Sequence, residues 1–299
     1  MYIKANANDY VVKETRCQQH LTDPPKDKSV NMTIISAIQF LGNCTQPPRL
    51  YGVTRDKDYC PLKEQRVAIT NARTLSSQPQ LDTAGYTLIK TDQIKPSTNM
   101  QSITQQHVQQ SLQLLRDHTG ASDLVLINSV IRRSEQSPGY LKDGTTLPAR
   151  FAHNDFGTGQ REIERWVNQF ATIRYDRVRH RRIATYNTWR MLTPPPTDVP
   201  LALCDASSLS PGERVGIEFH EQMPQSPNWV FEMSGYHFNP AQRWSYFPDL
   251  KSHELLVFKG FDSDASRAEL TPHAAFTLPD CPADTLPRES IESRFLAFF

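Results

Sequence analysis

The sequence predicts an α+β protein, mostly β, whose strands form a sandwich or jelly roll with helices packed outside. Three observations lead there. Beyond residue 180, short β-rich runs alternate with Pro, Gly, Asn and Asp, the texture of many short strands joined by turns. Only two segments carry a convincing helical period. The chain has 22 prolines against 12 glycines, which favours short elements with rigid connections over a glycine-rich nucleotide fold.

The elements follow in order. Residues 1–30 are polar and lack a period, and strand-like runs come next at Thr33–Leu41, Arg66–Thr70 and Tyr86–Lys90. Ser102–His118 reads as a helix with Ile103, Val108, Leu112 and Leu115 on its apolar face and Gly120 placed to end it. Asp123–Arg133 reads as a buried strand. A second amphipathic helix spans about Gln160–Phe170, with Ile163, Trp166, Val167 and Phe170 on one side. The β-rich half then offers Ile183–Trp189, Leu201–Cys204, Val215–Phe219, Trp229–Met233, Trp244–Phe247, Leu255–Phe261 and Ile291–Phe298. With no internal repeat or low-complexity linker, the expected organisation is one catalytic domain. An N-terminal extension, residues 1–80, packs on a core of residues 81–299.

Composition excludes several classes. Hydrophobic residues make up 38% and charged residues 22%, as in ordinary globular proteins, and the formal net charge is only +1. No field of one sign invites nucleic acid or an anionic membrane. The basic run Arg174–Arg182 reads as a solvated face, because it lacks interleaved aromatics beyond Tyr175. No apolar run spans a bilayer, and the opening MYIKANANDYVVKETR has no signal-peptide core. Five scattered cysteines without a C-x-x-C pair read as reduced thiols, so the expected location is cytoplasmic.

Among nine histidines, most have plain readings. His107 and His118 sit on a polar helix and His180 lies among arginines. After His220-Glu221, Pro224 occupies the place where a zinc-protease helix needs its second histidine. His153-Asn-Asp155 differs. Residues i and i+2 at a strand project to the same face, so an imidazole and a carboxylate converge. His273, 120 residues later, completes a two-His-one-carboxylate set, which leaves iron positions open for cosubstrate and oxygen. Fifteen residues further on, Arg288-Glu-Ser290 opens the last strand. A 2-oxoglutarate site needs such a step, because the distal carboxylate of the cosubstrate wants a bidentate guanidinium and a hydroxyl. The plainer alternative for Arg288 is a surface ion pair with Glu289 or Glu292.

Longer stretches carry a resemblance. They are Leu81–Ile89, His118–Ala121, His153–Asp155, Asn187–Arg190, Pro200–Asp205, Asn239-Pro240, Arg243–Pro248, Glu254–Ser263, Pro272-His273 and Pro287–Arg294. In this order, over roughly residues 80–299, they resemble a fungal and bacterial family. That family contains the aspergillic-acid hydroxylase/desaturase, the fungal gibberellin desaturase and the cephem 7α-methoxylase component. The resemblance implies a double-stranded β-helix core and oxidative tailoring of small natural products with Fe(II), 2-oxoglutarate and O2. One departure stands: Arg190-Met-Leu-Thr193 follows Asn187-Thr-Trp189 where the family has a paired basic or proline signature.

The expected site is therefore His153, Asp155 and His273 for the metal and Arg288 with Ser290 for the cosubstrate. Asn187, Trp189, Arg190, Trp244 and Tyr246 are candidate pocket walls. Arg267 is a candidate for a substrate carboxylate or a competing cosubstrate anchor. The expected partners are a small-molecule substrate and at most a second copy of the chain. Two rivals are weighed. Asp155-Phe-Gly157-Thr-Gly159 formally matches the D-x-G-x-G loop of an S-adenosylmethionine-dependent methyltransferase, but Pro148–His153 makes a poor buried strand before it. A non-catalytic β-sandwich binding protein would leave His153, Asp155 and His273 uncoupled.

Overall fold

In a computed structural model of the chain, the described residues are 33–52, 55–95, 97, 99–134, 145–157, 159–171, 180–223 and 226–299. Most of the basic run Arg174–Arg182 lies outside them. The first strands are β1 (Thr33–Leu41), β2 (Arg49–Tyr51), β3 (Leu62–Asn71) and β4 (Tyr86–Lys90), followed by helix α1 (Met100–Thr119). Next come β5 (Asp123–Arg133), β6 (Thr145–Thr146), β7 (His153–Asn154) and helix α2 (Gln160–Phe170). The β-rich half supplies β8 (Ile183–Met191), β9 (Leu201–Cys204), β10 (Arg214–Met223), β11 (Ser226–Tyr236) and β12 (Trp244–Tyr246). It ends with β13 (Glu254–Asp262), β14 (His273–Ala275) and β15 (Glu289–Phe298).

These strands make two sheets, the layers of a jelly roll. The larger runs β1-β3-β12-β9-β14-β7-β11-β10-β2 and the smaller β4-β13-β8-β15-β5-β6. Pairing is mostly antiparallel, so turn-linked strands meet without crossover helices. The expectation of a mostly β jelly roll is met. Tyr86–Lys90, Asp123–Arg133 and Leu201–Cys204 fall on the observed strands residue for residue.

The N-terminal boundary reads differently. Met32–Phe299 forms one compact unit, and β1 and β3 are strands of the larger sheet rather than an addition to it. A parallel bridge from Gln39 to Phe151, with Ala152 N donating to Gln39 O at 2.7 Å, ties β1 back to the segment entering β7. Ile38, Phe40, Ile69, Ala152, Trp244 and Phe276 pack in a core on that side. The alternation of β1, with Ile38, Phe40 and Leu41 buried, is the sequence cause of its place there.

Helix α1 covers the outer face of the smaller sheet. Of the predicted stripe, Ile103 and Leu115 are buried, and Val108 and Leu112 are partly buried against the core there. The buried residues of α1 are Ile103, His107, Ser111 and Leu115, an i, i+4 row that includes two polar groups. His107 is thus a core residue: Nε2 lies 3.2 Å from Thr188 Oγ1 on β8, and Ser111 Oγ meets the same hydroxyl at 2.9 Å. Asn99 caps the helix by accepting from Gln101 N, and Gly120 closes it at φ 73°, a left-handed conformation that suits glycine. Helix α2 packs Ile163, Trp166 and Val167 against Phe156 and Phe298.

Candidate metal centre

His153 and His273 meet because β7 and β14 are neighbours and these two residues are register partners. Paired antiparallel residues project to one face, and the ring centroids lie 4.3 Å apart. Each ring is oriented by a backbone carbonyl: His153 Nδ1 bonds Phe151 O at 2.8 Å and His273 Nδ1 bonds Thr271 O at 3.1 Å. A carbonyl only accepts, so Nδ1 carries the hydrogen and each Nε2 is left with a bare lone pair. Both Nε2 atoms point at Asp155, at 3.9 Å from Oδ1 and 3.7 Å from Oδ2. The three ligand atoms lie within 4.8 Å of one another. Burial, then the neighbouring His273, pushes His153 down to about 3, and burial likewise pushes His273 down. Two neutral imidazoles beside one carboxylate are the donor set that suits a divalent iron.

The Asp155 carboxylate is ionised despite its burial. Desolvation alone would raise its pKa, but the Arg294 guanidinium outweighs that and holds it well below the usual range. Its hydrogen-bond partners come from the smaller sheet. Asn187 on β8 donates to Oδ2, and Arg294 on β15 donates to Oδ1 at 2.9 Å. The residue between the ligands faces the other way, as strand alternation requires, and Asn154 Nδ2 donates to Phe156 O and Gly260 O. Phe156, fully buried against Trp166, pins the exit of the loop.

Arg288 is 1% exposed, which excludes the surface ion pair. Glu289 pairs with Arg133, while Glu292 pairs with Arg132 and Arg294. The Arg288 guanidinium donates to Ser290 Oγ at 3.0 Å and Val199 O at 2.9 Å, and lies 5.1 Å over the Trp189 ring. None of these is an anion. Burial, reinforced by Arg132, pushes this guanidinium down to about 9, while Glu292 and Asp198 act the other way. Arg132, register partner of Ser290, is felt electrostatically by Arg288 and by both histidines, which links the two parts of the site.

Of the candidate walls, Asn187 and Trp189 share the inner face of β8. Arg190 does not join them. One residue on, it projects outward under α1, donates to Asp92 O at 3.2 Å, and leaves Nε and Nη2 without partners. Tyr246 and Trp244 also lie on the far face. Ser245 pairs with Leu203, which pairs with His273, so the residues flanking Ser245 point the opposite way into the second core. Arg267 sits in an exposed ion-pair network with Asp82 and Asp264. It lines a cleft of about 560 Å³ with Arg214 and Tyr236, which shares no residue with the metal centre. The roles missed from sequence are those of Arg294 and Glu292. Their signal was the period of two along β15, where Ser290, Glu292 and Arg294 alternate with Ile291, Ser293 and Phe295.

A family model described as an oxidoreductase/YMDC permease-like domain matches residues 40–298. The chain belongs to this family. Among curated relatives, it is 26% identical over 240 residues to the Fe(II)/2-oxoglutarate-dependent dioxygenase nvfI of Aspergillus novofumigatus, covering 78% of this chain and 83% of that one. It is 36% identical over 130 residues to the hydroxylase/desaturase asaB of Aspergillus flavus, covering 40% of this chain and 56% of that one. The solved structure of the iron and alpha-ketoglutarate-dependent endoperoxidase NvfI aligns with a TM-score of 0.75 at 22% identity, over 90% of this chain and 98% of the other. The fold of this oxidoreductase family is thus the fold described above, and the hydroxylase/desaturase resemblance read from the motifs is borne out. The methyltransferase reading finds no support: Asp155-Phe-Gly157 leaves a two-residue strand in an antiparallel setting. Among the described residues no helix is long and apolar enough to cross a membrane.

Proposed function

We propose that His153, Asp155 and His273 hold one Fe(II), and that Arg288 with Ser290 anchors the distal carboxylate of 2-oxoglutarate, in an oxygenase that hydroxylates or desaturates a small natural product. The enzyme class follows from the family and its Fe(II)/2-oxoglutarate-dependent relatives. The observation that carries the residue assignment is the convergence of two Nε2 lone pairs and one carboxylate within 4.8 Å, beside which the chain buries a guanidinium, Arg288, whose own hydrogen bonds among the described residues go to Ser290 Oγ and Val199 O. When bound, the iron supplies O2 activation coupled to oxidation of 2-oxoglutarate to succinate and CO2, with hydrogen removed from a substrate C–H bond.

The chain's own part is positioning and shielding. The carbonyls of Phe151 and Thr271 fix which nitrogen each histidine offers. Phe151 and Phe258 flank the imidazoles with ring centroids at 4.8 and 4.7 Å, a dry wall on the protein side. Asn187 and Trp189 present a polar and an aromatic group on the same inner face, suited to a compact, partly apolar molecule. The near-neutral charge argues against a polyanionic partner. The test is succinate formation across a panel of amino acids, short peptides, terpenoid acids and nucleosides. Turnover of small acids supports the reading, and turnover confined to protein or nucleic-acid substrates overturns it.

A further inference from the structure

Asp155 leaves a strand of the larger sheet, yet among the described residues every hydrogen bond to its carboxylate comes from the smaller one. We infer that Arg294 is the positioning residue of the metal carboxylate, a brace across the two sheets that fixes the direction in which Asp155 faces the histidines. This rests on the metal reading given above. Arg294 contacts both oxygens of the carboxylate: Nη2 donates to Oδ1 at 2.9 Å, and Nε lies 2.9 Å from Oδ2 as an ion pair without hydrogen-bond alignment. One charge-assisted hydrogen bond and a second close ion-pair contact from a planar guanidinium restrict rotation of the group about its last bond more than a single point charge can.

The guanidinium is itself held. Glu292 Oε1 lies 2.7 Å from Arg294 Nη2, and Asn128 Oδ1 accepts from Nη1 at 3.2 Å. Asn187 Nδ2 donates to Asp155 and, at 3.0 Å, to the same Glu292 oxygen, closing a ring of four contacts among Asp155, Arg294, Glu292 and Asn187. The other Glu292 oxygen is 3.5 Å from Arg132 Nε, so charges alternate Asp155, Arg294, Glu292, Arg132. Four buried or nearly buried charges without alternation would be costly, and here each has an opposite neighbour. Ser290, Glu292 and Arg294 share one face of β15, so the strand that carries the proposed cosubstrate anchor also sets the metal carboxylate.

Two effects of removing Arg294 oppose each other. Loss of its charge would strengthen attraction between Asp155 and a dication, whereas loss of the two contacts would free the carboxylate. Arg294→Lys separates them, because it keeps the charge and gives up the planar two-point contact. The experiment titrates cobalt(II) into the wild-type protein, Arg294→Lys and Glu292→Gln, reading affinity by calorimetry and the visible d–d spectrum of the bound ion. The expected result is one cobalt(II) per wild-type chain, and in Arg294→Lys an affinity about 10–100-fold lower with a changed d–d envelope. Glu292→Gln, which weakens the grip on Arg294, shifts both readouts in the same direction by less, and decides the matter if Arg294→Lys does not fold. Variants that match a cobalt-binding wild type in affinity and spectrum overturn the brace. A wild type that takes up no cobalt overturns the metal reading itself, and the brace with it.

Discussion

Replacing Arg288 by Met separates cosubstrate binding from fold stability. In the folded chain the guanidinium makes two hydrogen bonds, at 3.0 and 2.9 Å, and sits over the Trp189 ring, all without a carboxylate partner. Removing it forfeits those bonds, worth ~1.5–3 kcal/mol each when a charge is involved. It also removes the desolvation penalty of a buried ion, several kcal/mol with no directly paired carboxylate to repay it. The two nearly offset, so the melting midpoint should move by no more than ~2–4 °C, about 1 kcal/mol for a chain of this size. Cosubstrate binding has no such compensation. Truncating one side of a buried bidentate pair costs ~2–5 kcal/mol, which at 1.4 kcal/mol per decade is a ~30- to 4,000-fold rise in Kd. The assay is calorimetric titration of 2-oxoglutarate into the cobalt-loaded protein, with Arg267→Ala alongside. An unchanged Kd in Arg288→Met, or a loss in Arg267→Ala instead, refutes the anchor.

Two further predictions follow from packing. In Gly260→Ala the new Cβ would overlap Phe156 Cδ2 and meet Thr185 Oγ1 at 2.5 Å. Phe156 has no room to retreat from Trp166, so the melting midpoint should fall by the equivalent of ~1–3 kcal/mol or more, and an unchanged midpoint contradicts this packing. Arg190→Met should leave metal and 2-oxoglutarate affinities unchanged and stability equal or higher, since two orphaned buried N–H groups disappear. A loss of cosubstrate binding would return Arg190 to the site.

The proposed metal ligands were legible because their geometry is local to a strand. His153 and Asp155 are two residues apart, and only the pairing of β7 with β14 had to be supplied by the fold. Arg288 and Ser290 show the same i, i+2 logic. That logic also explains the failures. Once Asn187 and Trp189 face inward, parity sends Arg190 outward, and once Ser245 faces His273, Trp244 and Tyr246 cannot. Sequence alone gave residue types without saying which face was inner. Helix α1 kept its predicted apolar face but buries two polar residues besides. Its face was chosen by hydrophobicity, whereas His107 and Ser111 are buried through hydrogen bonds to Thr188, which only the sheet beneath supplies. The role of Glu292 and Arg294 beside Asp155 was not legible, because charged residues in a strand read as surface pairs until a buried carboxylate gives them a partner.

The most direct test of the central claim is anaerobic titration of iron(II) and 2-oxoglutarate into the wild-type chain and into His273→Ala. Stoichiometry is read by metal analysis, and the chelate by its weak visible charge-transfer band. The account predicts one iron per wild-type chain, appearance of the band on adding 2-oxoglutarate, and loss of both in His273→Ala, because two remaining ligands cannot hold a three-point site. Full iron occupancy in His273→Ala, or a wild type that binds iron and 2-oxoglutarate without the band, would contradict it.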